Sequence, residues 1–317
     1  MVLSQTIRAF ELLDHPHVCG DDIKKALNHS GVHKVEVERV SDKDAFTDFI
    51  KVVLPGRNGR LKHGDAPTLG IVGQLGGVGA RPSQIGLVSD ADGAVVVIAA
   101  ALKLAQMAFL GDELEGDVVL TTHVCPISPI IPHEPVPFMG SPVSIQTQIT
   151  HLVDENMQAI LSVDTTKGNR ILNHNGFAIT PTVKEGYILR VSEDLLDIMT
   201  WTTGKAPVVL PITTQDITPY GNLVYHLNSI MQPSTLSNVP CVGVAITTES
   251  VVPGCATGSS HPMHIESAVR FVIEVAKAYG TGKAQFYDPE EFARLVALYG
   301  SMTHLQVKDT GDNREEE

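Results

Sequence analysis

Short β-branched apolar runs that alternate with apolar helical segments constrain this chain more than any other feature. TLGIVG (68–73), DVVLTTHV (117–124), AILSVD (159–164) and VPCVGVAITT (239–248) are too short for stable helices. They are also too continuously apolar for strands with one wet face, so they read as strands buried on both sides. Between and after them lie helical patterns from Ala94 to about Phe109, near Gln146 to Asn156 and from Ile265 to Tyr279. Strand and helix in alternation predict an α/β fold: a mostly parallel, mixed central sheet with helices on both faces, over about residues 35 to 285.

The flanks fit the same plan. TIRAFELL (6–13) has helical spacing, and Asp21 fits as the cap of a second helix through Leu27 that Gly31 ends. VHKVEVERV alternates as a half-buried strand does, and FIKVVL stops at the turn pair Pro55-Gly56. KAPVVLPITT (205–214) reads as a further strand. A last helix has Asp288 as cap, Pro289 in its first turn, Glu290 and Glu291 at the positive end of its dipole and Gly300 as its stop. No internal repeat is present, so one domain over residues 1–307 is expected, followed by an acidic, disordered tail (KDTGDNREEE, 308–317).

The formal charge is −13 and no basic run occurs, which argues against nucleic-acid and anionic-membrane partners, since both require a positive patch. Cys19, Cys125, Cys241 and Cys255 form no C-x-x-C pair, and the N-terminus shows no cleavable-signal pattern. Free thiols and a cytoplasmic location are therefore expected. The longest apolar stretch, Ala94 to Leu102, falls far short of the ~20 residues that span a bilayer. A homo-oligomer is the expected assembly.

Several residues could carry chemistry. The glycine-rich segment 70–86 fits neither dinucleotide nor P-loop spacing, and the GTGK at 280–283 is followed by alanine, so a phosphate cradle is not supported. Asp90 and Asp92 precede a helix, where they could cap it, or one could cap while the other faces the cleft at the strands' carboxyl ends. Asp164 ends a buried strand, where an acid needs a partner or an ion. His123 and Cys125, two apart at a strand end, could bind a metal, form a nucleophile with its base, or be a buried thiol beside a hydrogen-bonded histidine. His261 and His264 follow the loop GCATGSS just before a helix and could be ligands or polar loop residues.

Read in order, FELLDHPHVCGDD, FIKVVLPGRNG, GLVSDADGAVVVIAAALKL, AILSVDTTKGN, TTQDITPYGN and GVAITTESVVPGCATGSSHPMHIESA resemble successive segments of the zinc aminopeptidases of the tetrahedral and glutamyl type. The resemblance implies a zinc-peptidase fold of the phosphorylase/hydrolase-like kind, with Asp90 as bridging carboxylate, Asp164 as a terminal acid and His261 as the last histidine ligand. It puts Gln74, Asp92, Asp216 and His264 on the substrate side of the cleft. The departures are equally definite. Gln74-Leu75-Gly76 stands where those enzymes carry a His-x-Asp pair, and THVCP where they carry paired glutamates. With the proline-rich loop after His123, these departures identify the chain with a bacterial family known as domain of unknown function 1177.

The resemblance thus implies a metal-dependent hydrolase of a small amide, amino-acid-like or short peptide-like substrate. Its site would be non-standard and hold at most one divalent ion, zinc or similar, with His123 able to replace a lost ligand. Two other readings stay open: a metal-free enzyme using His123 and Cys125, and a binding or scaffold protein that kept the fold without the chemistry.

Overall fold

The computed structural model describes residues 2–306 apart from 43–44, 75–76, 80–82, 168–169, 214–217 and 222–223. Asp216 and the acidic tail lie outside the described residues.

Two helices, α1 (Val2–Leu13) and α2 (Gly20–His29), lead into the hairpin β1 (Val35–Asp42) and β2 (Ala45–Leu54). Then follow β3 (Leu69–Gly73), α3 (Asp92–Phe109), β4 (Val118–Val124), the short pair β5 (Ile130–Ile131) and β6 (Phe138–Met139), α4 (Ile145–Leu152) and β7 (Ala159–Thr165). The second half adds β8 (Gly176–Ile179), β9 (Val183–Lys184), β10 (Tyr187–Ile188), α5 (Glu193–Thr203), β11 (Cys241–Thr247), α6 (Pro262–Gly280) and α7 (Pro289–Tyr299). The described strands form a nine-stranded sheet in the order β1-β2-β4-β3-β7-β11-β9-β10, with β8 also paired to β11. Its centre, β4-β3-β7-β11, is parallel, and the hairpin β1–β2 joins β4 antiparallel.

Period-two alternation decides what each strand gives to each side. Leu69 and Ile71 of β3, Leu120 of β4 and Ala159, Leu161 and Val163 of β7 join the apolar cluster formed with α1, α3, α5 and α6. Val72, Val119 and Ile160 belong to a second cluster with Leu152 of α4 and with Ile230 and Met231 of the 3-10 segment Ser229–Thr235. The sheet is therefore covered on both faces, and removing its branched side chains from water contributes roughly 1.5–3 kcal/mol for each one fully buried.

Helix α3 is buried nearly all round. The stretch Ser89–Phe109 is long and apolar enough to cross a membrane, but 78% of that window is buried inside the fold, so its hydrophobicity is that of a core helix. Its first turn needs Gly93, because a Cβ there would strike the carbonyls of Gln74 and Val163. That close approach sets the start of α3 against the carboxyl ends of β3 and β7.

Three expectations fail locally. Helix α2 starts at Gly20 with Cys19 at its cap position, so Asp21 lies in the first turn and does not cap it. Among its described residues, 205–213, KAPVVLPITT makes only one bridge, Val209 with Ile179, since Pro207 and Pro211 remove N–H groups that a ladder requires. The helix expected to reach Asn156 ends at Leu152. The α7 expectation holds in detail: the Asp288 side chain accepts from the N–H groups of Glu290 and Glu291, and Gly300 closes the helix at φ 80°.

Asp117, just before β4, shows how a buried acid can be purely architectural. It is 1% exposed, and its two oxygens accept from Gly56 N (2.8 Å) and Leu61 N (2.9 Å). Replacing Asp117 with Ala is expected to lower unfolding free energy by about 2–3 kcal/mol, read as a shift of the urea midpoint at constant slope.

Candidate active site

The candidate residues gather where the parallel strands end, which is where α/β sheets place their sites. Asp90 sits in a short 3-10 turn, Ser89–Ala91, immediately before α3. Neither it nor Asp92 caps that helix: the cap position is Ala91, with no side-chain hydrogen bond. The Asp90 carboxylate instead accepts from Thr165 Oγ1 (3.1 Å) at the end of β7 and from Met139 N (3.2 Å) on β6. The proline-rich segment after His123 thus folds over as the β5–β6 pair and forms one wall of the site. Asp90 is 6% exposed, and burial pushes its pKa up to about 6 despite those two donors.

Gly254, in the loop after β11, closes over the same carboxylate. Its carbonyl accepts from Asp90 N (3.1 Å), and a Cβ on Gly254 would fall onto both Asp90 carboxylate oxygens. Gly254→Ala is therefore expected to push Asp90 out of position and cost about 1–3 kcal/mol, measurable by thermal denaturation together with a changed pH dependence of stability.

Asp92 is fully buried at the start of α3, and its Oδ2 accepts from Lys167 Nζ (2.5 Å). Lys167, two residues past β7, also donates to the Ser259 carbonyl (3.2 Å), and its own carbonyl accepts from Val252 N (2.9 Å). Burial pushes the Asp92 carboxyl up, and the ammonium pulls it back. Asp92 Oδ1 makes no hydrogen bond of normal geometry among the described residues, while the Ser260 hydroxyl and His261 lie near enough to help the ammonium hold the carboxyl down. His261 is exposed at the N-cap of α6, its ring 5.0 Å from that of His264. The buried Nδ1 of His264 is also unpartnered among the described residues. Burial, then the positive surroundings of His261, Lys167 and Lys205, lower the His264 pKa to about 4.

The other candidates gather on the opposite side. Alternation along β7 puts Thr165 on the face of Leu161 and Val163, with Asp90, and Asp164 on the face of Ile160 and Ser162. Asp164 is 3% exposed, with Oδ1 accepting from Thr165 N (2.6 Å). Gln74 donates to Ser162 Oγ (2.5 Å) and to the Ile230 carbonyl (2.8 Å), so its amide is held by the 3-10 segment on that face. His123 shares a 2.8 Å hydrogen bond with Thr47 through Nδ1 and packs 5.5 Å from the Phe49 ring. Cys125 donates to the Ile127 carbonyl (3.1 Å). Burial lowers His123 to about 4 and raises the Cys125 thiol, so both are neutral at pH 7. They supply neither a thiolate nor an imidazolium.

Asp90, Asp164 and His261 are thus divided between the two sides of the sheet end. Among the described residues, no three His, Cys, Asp or Glu side chains come together as a group that could hold a metal ion. The charge beside Asp92 is an ammonium, not an open ligand position. These residues do not fit a zinc site of three or four donors. Lys167 is the site residue that sequence reasoning missed: its signal, a lysine two residues past a buried strand end, is indistinguishable from a solvated loop lysine until the fold places Asp92 opposite it.

Two solved structures share this architecture. The bottromycin maturation enzyme BotP in complex with Mn matches with a TM-score of 0.51 at 12% identity, over 87% of this chain and 71% of that chain. A mutant of tomato leucine aminopeptidase matches with a TM-score of 0.50 at 11% identity, over 86% of this chain and 61% of that chain. No curated protein matches the sequence. The fold is an α/β architecture shared with these two structures. Within it, the chain belongs to the family described as "Protein of unknown function (DUF1177)", whose model matches residues 38–309.

Proposed function

We propose that the chain is a hydrolase-type enzyme acting on a small amide or amino-acid-like molecule, with Asp90 as its proton-transfer group and at most one metal ion per chain. The observation that carries this reading is the Asp90 carboxyl: buried at the carboxyl end of the sheet, oriented by Thr165 and Met139, and shifted to about 6. A group that titrates near neutrality in a cleft is matched to general acid–base work. The fold supports amide chemistry, since an aminopeptidase shares it. The dinuclear mechanism of zinc aminopeptidases is not carried over, because the general-base glutamate of the resemblance is absent from THVCP.

Exposed apolar residues beyond the strand ends support an apolar substrate side chain. Ile85, Ile127, Ile171 and Met263 are 82%, 55%, 68% and 58% exposed, in segments that follow the carboxyl ends of β3, β4, β7 and β11. Exposed apolar groups of this kind suit a ligand with an apolar side chain. The test is a panel of aminoacyl amides, N-acyl amino acids and dipeptides assayed with wild type and Asp90→Asn. Turnover of one class that is lost in the variant supports the reading. Turnover that survives removes Asp90 from the mechanism, and a panel with no turnover favours a cleft that binds without reacting.

A further inference from the structure

The ion pair between Lys167 and Asp92 does more than neutralise charge. The two side chains are 2% and 0% exposed, and the ammonium ties three separate segments together. It joins the segment after β7 to the start of α3 through Asp92 and to the β11–α6 loop through the Ser259 carbonyl, and the Lys167 backbone carbonyl accepts from Val252 in that same loop. A buried ammonium is retained in a fold only where it is paired and hydrogen-bonded. These segments, around Asp90 and His261, are those to which the resemblance assigns metal ligands, yet no three donors gather there among the described residues.

We propose that the Lys167 ammonium is the built-in cation of this cleft, taking the architectural place of a bound divalent ion, so that the folded chain takes up none. A divalent ion at Asp92 would meet the ammonium as a like charge and would compete with it for the carboxylate. Once the ammonium is gone, the Asp92 oxygens and the Ser259 carbonyl become open oxygen donors beside Asp90. Oxygen donors of this kind suit divalent cations. The assignment stands whatever the cleft turns over, and it is read without any activity assay.

The experiment uses the full chain, purified without metal-affinity resin. Wild type, Lys167→Ala and the Lys167→Ala/Asp92→Asn double variant are equilibrated with Zn²⁺ or Mn²⁺, dialysed, analysed for bound metal and melted with and without the ion. Wild type is expected to hold no stoichiometric ion and to melt at the same temperature in either condition. Lys167→Ala is expected to melt lower, to take up an ion, and to regain roughly 5 °C in its presence. The double variant is expected to lose that response. A wild-type chain that retains an ion overturns the assignment. So does a Lys167→Ala chain whose folding is the same, or equally lost, with and without the ions.

Discussion

Replacing Lys167 with Met is expected to destabilise the fold by about 3–5 kcal/mol, the largest loss of any single change in the cleft, because it leaves the Asp92 carboxylate buried without its partner. Met preserves length and apolar volume, so the loss reports charge rather than a cavity. It also strips the Ser259 carbonyl of the donor now 3.2 Å away. The companion experiment replaces both partners with apolar side chains of similar size, Lys167→Met with Asp92→Leu. Exchanging a buried pair for well-packed apolar groups is typically neutral or stabilising, so the double variant is expected to recover most of the loss. Urea midpoints for wild type, the two single variants and the double variant close the cycle. Equal loss in the single and double variants would mean that the pair matters through the shape of the site and not through its charges.

The sequence makes the sheet legible because burial on both faces leaves a simple mark. TLGIVG, DVVLTTHV, AILSVD and the centre of VPCVGVAITT became β3, β4, β7 and β11, the parallel centre of the sheet. KAPVVLPITT shares their composition but carries prolines at both ends of its apolar core, and donor loss outweighed β-propensity. Helix α5 carries equally plain local signals: Ser192 caps it through Leu195 N, Glu193 and Asp194 fill its first turn, and Gly204 closes it at φ 68°.

The site was less legible for a different reason. Asp90 and Asp92 stand out in the sequence as acids before a helix, and local chemistry alone suggests capping. Their actual partners, Thr165 and Lys167, are each 75 positions away. No local pattern encodes that pairing. Parity along β7 matters equally: Asp164 is the conspicuous residue of AILSVDTTKGN, yet alternation turns its neighbour Thr165 toward Asp90. A chemically plain threonine and a lysine that reads as solvated are therefore the residues that complete the Asp90 side of the cleft.

Asp90→Asn is expected to raise stability at neutral pH while removing activity, and the two effects have one cause. The ordinary Asp value of 3.8 rises to about 6 in the fold, so the folded chain holds the Asp90 proton more tightly than the unfolded chain does. The stability contributed by that proton is fully present below about pH 4 and is lost as pH rises through about 6. Two pK units correspond to about 3 kcal/mol, the penalty the carboxylate imposes on the fold above pH 7. Asparagine cannot ionise. Its carbonyl can keep the Met139 N–H, and its amide can donate to Thr165 Oγ1 once that hydroxyl rotates to accept. The variant should therefore gain about 2–3 kcal/mol over wild type near pH 8 and nothing near pH 4, after a small allowance for imperfect hydrogen bonds. Denaturant melts at the two pH values measure the difference directly. Turnover of the substrate found by the panel should fall by about 10²–10⁴ in the same variant. In wild type, kcat/KM should rise with pH through about 6 as the Asp90 carboxylate forms and begins to accept a proton. A gain in stability without loss of turnover would make Asp90 a strained but passive residue, and no gain near pH 8 would mean that its carboxyl ionises in the fold as readily as in water.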